Sequence, residues 1–173
     1  MSRTECAYKV GLDVLLTAIL YSILNKHIGG RIGIIASVLI AHTLNFIFNG
    51  HIFVVLKNVD LIHTDEKTFY NYCEFLRDLG AEHESIEAVV ALGSLSRDEL
   101  HSTSDLDIRI IRSDGVLNGI FACWLTTLAR SRALFDKFPL DIFVLENAEE
   151  LSKIREDERE NLIVLYDKTG LFD

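Results

Sequence analysis

The stretch "ALGSLSRDELHSTSDLDIRIIR", residues 91–112, decides the fold. A Gly-Ser follows an apolar run, and two aspartates one residue apart open an alternating segment. On a strand, Asp105 and Asp107 share one face while Leu106 and Ile108 take the other. Carboxylates gathered on one face repel unless a proton or a cation sits between them. A second apolar segment, "PLDIFVL" at 139–145, carries Asp141 between apolar neighbours. Three carboxylates converging from two strands suit one or two Mg²⁺ (or Mn²⁺) ions, because oxygen-only donor sets favour these over zinc.

The flanking segments supply the frame. Residues 66–81 place Phe69, Tyr72, Cys73, Leu76 and Leu79 at helical spacing, with Gly80 as the stop. Strands are expected at 86–93, 105–112, 139–146 and 161–167, the third opening at the only proline. A long apolar helix is expected over 116–138, with Trp124 in the core, and a charged surface helix over 148–160. The pattern predicts an α/β (α+β) domain over 67–173, a small mixed sheet of about four strands with flanking helices. "GSLSR" should open a short helix, where Gly93 admits close approach, Ser94 offers a hydroxyl and free N–H groups offer an anion site.

The front of the chain differs in kind. Two apolar segments, 10–24 and 32–56, flank the polar turn "NKHIGGR" and read as a hydrophobic helical hairpin over 1–57, joined by a linker at 58–66. The second is long enough for a ~30 Å hydrocarbon core; the first is marginal and contains Asp13. His42, Asn45 and Asn49 form a polar stripe that needs partners on the other helix, another subunit or water. The hairpin is expected to associate with a membrane, or else to build a homo-oligomer as a soluble pair. The front lacks a small-residue cleavage site, so a signal peptide is not expected.

Charge follows the same division. Arg3, Lys9, Lys26, Arg31 and Lys57 outnumber Glu5 and Asp13 in the hairpin, so the back domain carries the acid excess behind the net charge of −9. That excess argues against broad nucleic-acid binding. Cys6, Cys73 and Cys123 are widely spaced, with no CxxC, which points to a reduced cytoplasmic setting without a zinc site or disulfide framework.

Gly93, Ser94 and Arg97, followed by Ser104, Asp105 and Asp107, then Asp141 on a later strand, resemble the minimal nucleotidyltransferases of the DNA polymerase β-type superfamily. The resemblance covers about 66–170 and leaves the hairpin outside. Many members have glycine after the motif arginine, where this chain has Asp98. The resemblance implies an enzyme that transfers a nucleoside monophosphate from a nucleoside triphosphate to a hydroxyl. Asp105, Asp107 and Asp141 would be the catalytic, metal-holding residues, with Asp141 helping to deprotonate the acceptor. Gly93 and Ser94 would cradle the β- and γ-phosphates, and Arg97, Ser104 and Arg109 would complete the nucleotide site. Arg109 shares the face of the two aspartates by period two. A membrane tether facing the cytoplasm would suit a lipid-linked or small-molecule hydroxyl acceptor. Two other classes compete: a toxin–antitoxin type enzyme modifying protein or tRNA, and a non-catalytic nucleotide-binding oligomer.

Overall fold

The computed structural model describes residues 1–49, 63–97 and 99–172. The chain is a mixed α+β protein: a four-stranded sheet with flanking helices, preceded by an apolar helical pair.

Helix α1 spans Arg3–Leu24, starting well before the apolar segment read from the sequence, with the Ser2 side chain accepting from the Glu5 N–H. Helix α2 spans Gly30–Asn49; the expected continuation to residue 56 lies outside the described residues. At 1.5 Å per residue the two helices are about 33 and 30 Å long, and both are long and apolar enough to cross a membrane. Two members of the polar stripe, His42 and Asn45, find partners on α1, and Asn49 bonds to Asn45 within α2. Asn45 donates to Asp13 Oδ1 (2.8 Å) and to the Lys9 carbonyl (3.0 Å), Asn49 donates to Asn45 Oδ1 (2.6 Å), and His42 Nδ1 lies 3.2 Å from Asp13. Asp13 thus joins the two helices rather than disqualifying the first.

Helix α3 spans Glu66–Glu82, capped by Asp65, which belongs to the expected linker; residues 58–62 lie outside the described residues. Gly80 does not end α3. It is buried within the helix, where a Cβ would come within 2.7 Å of the Tyr166 ring, so close packing on the sheet explains the glycine. Strands β1 (Ile86–Leu92), β2 (Leu106–Arg112), β3 (Leu140–Leu145) and β4 (Ile163–Asp167) form a sheet in the order β3-β2-β1-β4. β1 runs antiparallel to β2 and β4, and β2 runs parallel to β3.

Helix α4 spans Val116–Phe135, shorter than expected. The chain turns at Lys137, at a positive φ of 55°, so that Phe138 can stack on Tyr72 with ring centroids 3.9 Å apart. The main core lies between one sheet face and helices α3 and α4, built from Phe69, Leu76, Leu106, Ile108, Leu125 and Ile142 among others. Leu151 joins a smaller core on the opposite face with Ala88, Val90, Ile111 and Leu145. The helix expected over 148–160 is broken there into a 3-10 turn at Ala148–Lys153 and the short helix α5 at Glu156–Glu160, because Ile154 and Arg155 are extended.

Trp124 is not core. It is 45 % exposed on α4, with its ring 5.4 Å from that of Phe121, and Leu117 and Leu128 of the same helix are exposed as well. With Tyr8, Leu12 and Leu15 of α1 and Val116 and Ile120 of α4, it lines an apolar groove of about 620 Å³.

Candidate functional site

The parallel pairing of β2 and β3 sets Asp107 beside Asp141 in register. Asp105 immediately precedes β2. The antiparallel pairing of β1 and β2 sets Leu92 against Asp107, which brings the β1 exit, and therefore Gly93, onto the same carboxylate. Gly93 adopts φ +73°, and a Cβ there would collide with Asp107 Oδ2. Both the backbone conformation and the close approach therefore require glycine.

Asp107 carries the electrostatic strain of the cluster. Burial pushes its carboxyl up to about 7, the charges of Asp105 and Asp141 and a hydrogen bond to Asp141 push the same way, and Arg109 opposes them. At neutral pH the cluster retains part of a proton where ordinary aspartates have none. Arg109 sits 3.7 Å from Asp141 Oδ2, donates to the Ile108 carbonyl (2.8 Å), and lies over the Phe143 ring at 4.9 Å. Among the described residues, no three acidic, histidine or cysteine side chains stand close enough together to enclose a metal ion as placed.

The segment after β1 is a series of turns over 93–97, not the helix expected from "GSLSR". Ser96 Oγ donates to the Gly93 carbonyl (2.9 Å), and the Glu99 N–H donates to the Ser94 carbonyl (2.9 Å). Local side-chain bonds of this kind hold a turn in place of a helical ladder. Ser94 Oγ is buried without a hydrogen-bond partner among the described residues. An unmet buried hydroxyl beside a carboxylate cluster is a vacant donor position. Arg97 pairs with Glu99 at 3.0 Å on the exposed side of the loop; Asp98, the departure from the family pattern, lies outside the described residues. Ser104 Oγ accepts from the His101 N–H (3.0 Å) and closes the turn leading into Asp105. A polar pocket of about 380 Å³, lined by Asp65, Tyr70, His101 and Ser102 among others, lies beside this loop.

Of the residues singled out from sequence, Gly93, Asp105, Asp107, Arg109 and Asp141 come together directly. Ser94 lies at the next position, Ser104 shapes the approach, and Arg97 is turned toward Glu99. Sequence reasoning missed Phe143, which supports Arg109, and the buried charges Glu5 and Arg130 at the outer edge of β3. Nothing in the sequence sets Glu5 apart from Arg3, Lys9 and Asp13 of the same helix, or Arg130 from Arg132.

No protein-family model and no curated protein matches this chain.

Proposed function

We propose that the chain is a membrane-associated, Mg²⁺-dependent nucleotidyltransferase that moves a nucleoside monophosphate from a nucleoside triphosphate to a hydroxyl acceptor. The observation that carries the reading is the register of Asp107 against Asp141 with Asp105 beside them, an arrangement in which burial first, and then the two neighbouring carboxylates, push the Asp107 carboxyl up to about 7. Such oxygen donors fit a hard divalent cation, which when bound supplies neutralisation of the charge on the reacting phosphates. Asp105 and Asp107 are the residues that would hold it, with Asp141 from the adjacent strand. The bare backbone at Gly93 and the unmet hydroxyl of Ser94 are suited to receive phosphate oxygens, and Arg109 adds a positive charge on the same face. Asp141 accepts the proton of the acceptor hydroxyl; that oxygen attacks the α-phosphorus in line, and pyrophosphate leaves. Gly93, Ser94, Asp105, Asp107 and Asp141 are positions on which the resemblance to the polymerase β-type pattern rests, and Asp98 departs from it.

The membrane reading draws support from the exposed apolar surface of α1 and α2, where Val14, Ile35 and Leu39 are each at least 60 % exposed, and from its continuation onto α4. With the domain in the cytoplasm, the site has access to nucleotides. The apolar groove includes Arg112, five residues along β2 from Asp107 and so about 17 Å away. That distance suits bilayer contact at the far end of the sheet better than contact with the reacting group.

The test is to incubate detergent-solubilised protein with each α-phosphate-labelled triphosphate, Mg²⁺ and a membrane lipid extract, beside Asp105→Ala. Label entering the lipid fraction with wild type alone is the expected result. Label on protein or RNA instead points to the toxin-like alternative. Binding of Mg-nucleotide with no label in any acceptor pool would replace the enzyme with a nucleotide-binding module.

A further inference from the structure

Strand β3 is an edge of the sheet and, among the described residues, pairs only with β2. An edge strand leaves alternate N–H and C=O groups without partners. Here those groups are met from outside the sheet. The Val144 N–H donates to Glu5 Oε2 (3.1 Å), and the Ile142 carbonyl accepts from Arg130. Glu5 comes from the first turns of α1 and Arg130 from the middle of α4, and they pair with each other at 2.7 Å. Both are almost fully buried, at 1 % and 5 % exposed. Asn49, near the end of α2, accepts from Arg130 at 3.3 Å and from Thr127 at 2.8 Å, so both helices of the hairpin reach this point.

The fastening leads to the candidate site through one side chain. Phe143 lies between the two fastened positions and, by the alternation of a strand, projects to the face that bears Asp141. Its ring lies 5.8 Å from the Arg130 guanidinium, 5.7 Å from Lys9 Nζ and 4.9 Å from the Arg109 guanidinium. Lys9 is itself held by Glu5 at 3.0 Å. Arg109 in turn stands 3.7 Å from Asp141.

We infer that Glu5 and Arg130 are positioning residues: the hairpin fixes the edge strand, and through Phe143 it sets Arg109 and Asp141 for the nucleotide. The hairpin is then a working part of the site and not a detachable anchor. The nucleotide step of this inference rests on the function proposed above; the mechanical step does not.

The test uses full-length protein in detergent and the paired variant Glu5→Gln/Arg130→Met, since removing one partner alone would strand a buried charge and risk unfolding. Two quantities are measured: the Kd for each Mg-nucleoside triphosphate, and amide hydrogen exchange across 105–112 and 140–146. The expected result is a folded variant with faster exchange in both segments and triphosphate binding weakened roughly fivefold or more, the lower end of ordinary coupling between sites. Arg130→Lys, which keeps the charge but loses the guanidinium fork, should fall between the two. Faster exchange at 140–146 with unchanged Kd would mean a structural brace only and would overturn the inference. Unchanged exchange in both segments would also overturn it. If wild type binds no triphosphate, the proposed function fails on its own, and exchange at 105–112 decides whether the hairpin still sets the site strand.

Discussion

Two groups of charges are sunk into the body of this protein, and they are built in opposite ways. At the outer edge of β3, Glu5 and Arg130 are buried together, and each satisfies the other as well as a strand backbone group. On the face of β2 and β3 that bears Phe143, Asp105, Asp107 and Asp141 gather with Arg109 beside them, and burial together with the neighbouring carboxylates drives Asp107 up to about 7. The first group is closed: Glu5 answers both Arg130 and Lys9 inside the fold, and among the described residues only the Arg130 Nε of this group is buried without a hydrogen-bond partner. The second is open: it sets three carboxylates side by side, next to the Gly93 backbone and a Ser94 hydroxyl that has no hydrogen-bond partner among the described residues. Closed charge holds a fold together, whereas open charge is stabilised by whatever binds there.

The comparison makes predictions of decreasing size. The largest concerns catalysis. Asp107→Ala should reduce nucleotidyl transfer by at least about a thousandfold in the labelling assay, as expected for a residue acting as part of a unit, while leaving thermal stability at or above wild type. A loss of stability instead would place Asp107 with the closed group.

For the closed group the expectation reverses. Glu5→Ala leaves Arg130 buried without its carboxylate and should destabilise the protein by about 3–5 kcal/mol, whereas the neutral pair should recover most of that loss. Denaturant melts of both variants in one detergent measure the difference, and equal losses would break the distinction between the groups.

Gly93→Ala attacks the contact between turn and carboxylate. The strained backbone and the collision with Asp107 should reduce stability by about 1–3 kcal/mol and abolish Mg-nucleotide binding measurable by calorimetry. A variant that binds as wild type would show that backbone approach at Gly93 is not needed.

Asp107→Asn tests the open charge by pH. The folded carboxyl holds its proton to about 7, while the unfolded one releases it near its ordinary value. Native protein therefore binds more protons between those limits, and its stability falls as pH rises from about 4 to 7. Asn carries no such charge, so the metal-free variant should exceed wild type by roughly 4 kcal/mol at pH 7.5, with the gap closing toward pH 4. A gap independent of pH would mean that neither burial nor the neighbouring carboxylates raise the Asp107 carboxyl in the folded state.

The smallest effect belongs to the hairpin surface. His42 is paired with Asp13 but its side chain is 73 % exposed. His42→Ala should therefore change stability by less than about 1 kcal/mol, in contrast to Asn45→Ala, which removes bonds to both Asp13 and the Lys9 carbonyl from the helix interface.

What was legible in the sequence had a period or a spacing behind it. Alternation placed Asp105 and Asp107 on one face, and apolar flanks marked Asp141 as a strand residue. Helical spacing marked the buried face of α3 and the polar stripe of α2. Errors fell where tertiary contact overrides a local signal. Gly80 reads as a helix stop, but its missing Cβ makes room for Tyr166. Trp124 reads as core, but one sequence cannot tell which side of an apolar helix meets the sheet. The run at 148–160 has helical composition, but burial of Leu151 and the extended pair Ile154 and Arg155 divide it.

By itself, then, the sequence determined the mixed α+β domain, the apolar helical pair before it, and the set of carboxylates, because side-chain periodicity and the requirements of a turn are properties of neighbours along the chain. Only the tertiary structure decided that Asp107 and Asp141 stand in register, that Gly93 closes on one of them, and that Glu5 of the first helix seals the strand carrying the other. Those three facts join residues from 14 to 139 positions apart, and the packing of the sheet and helices, which no local pattern encodes, sets them side by side.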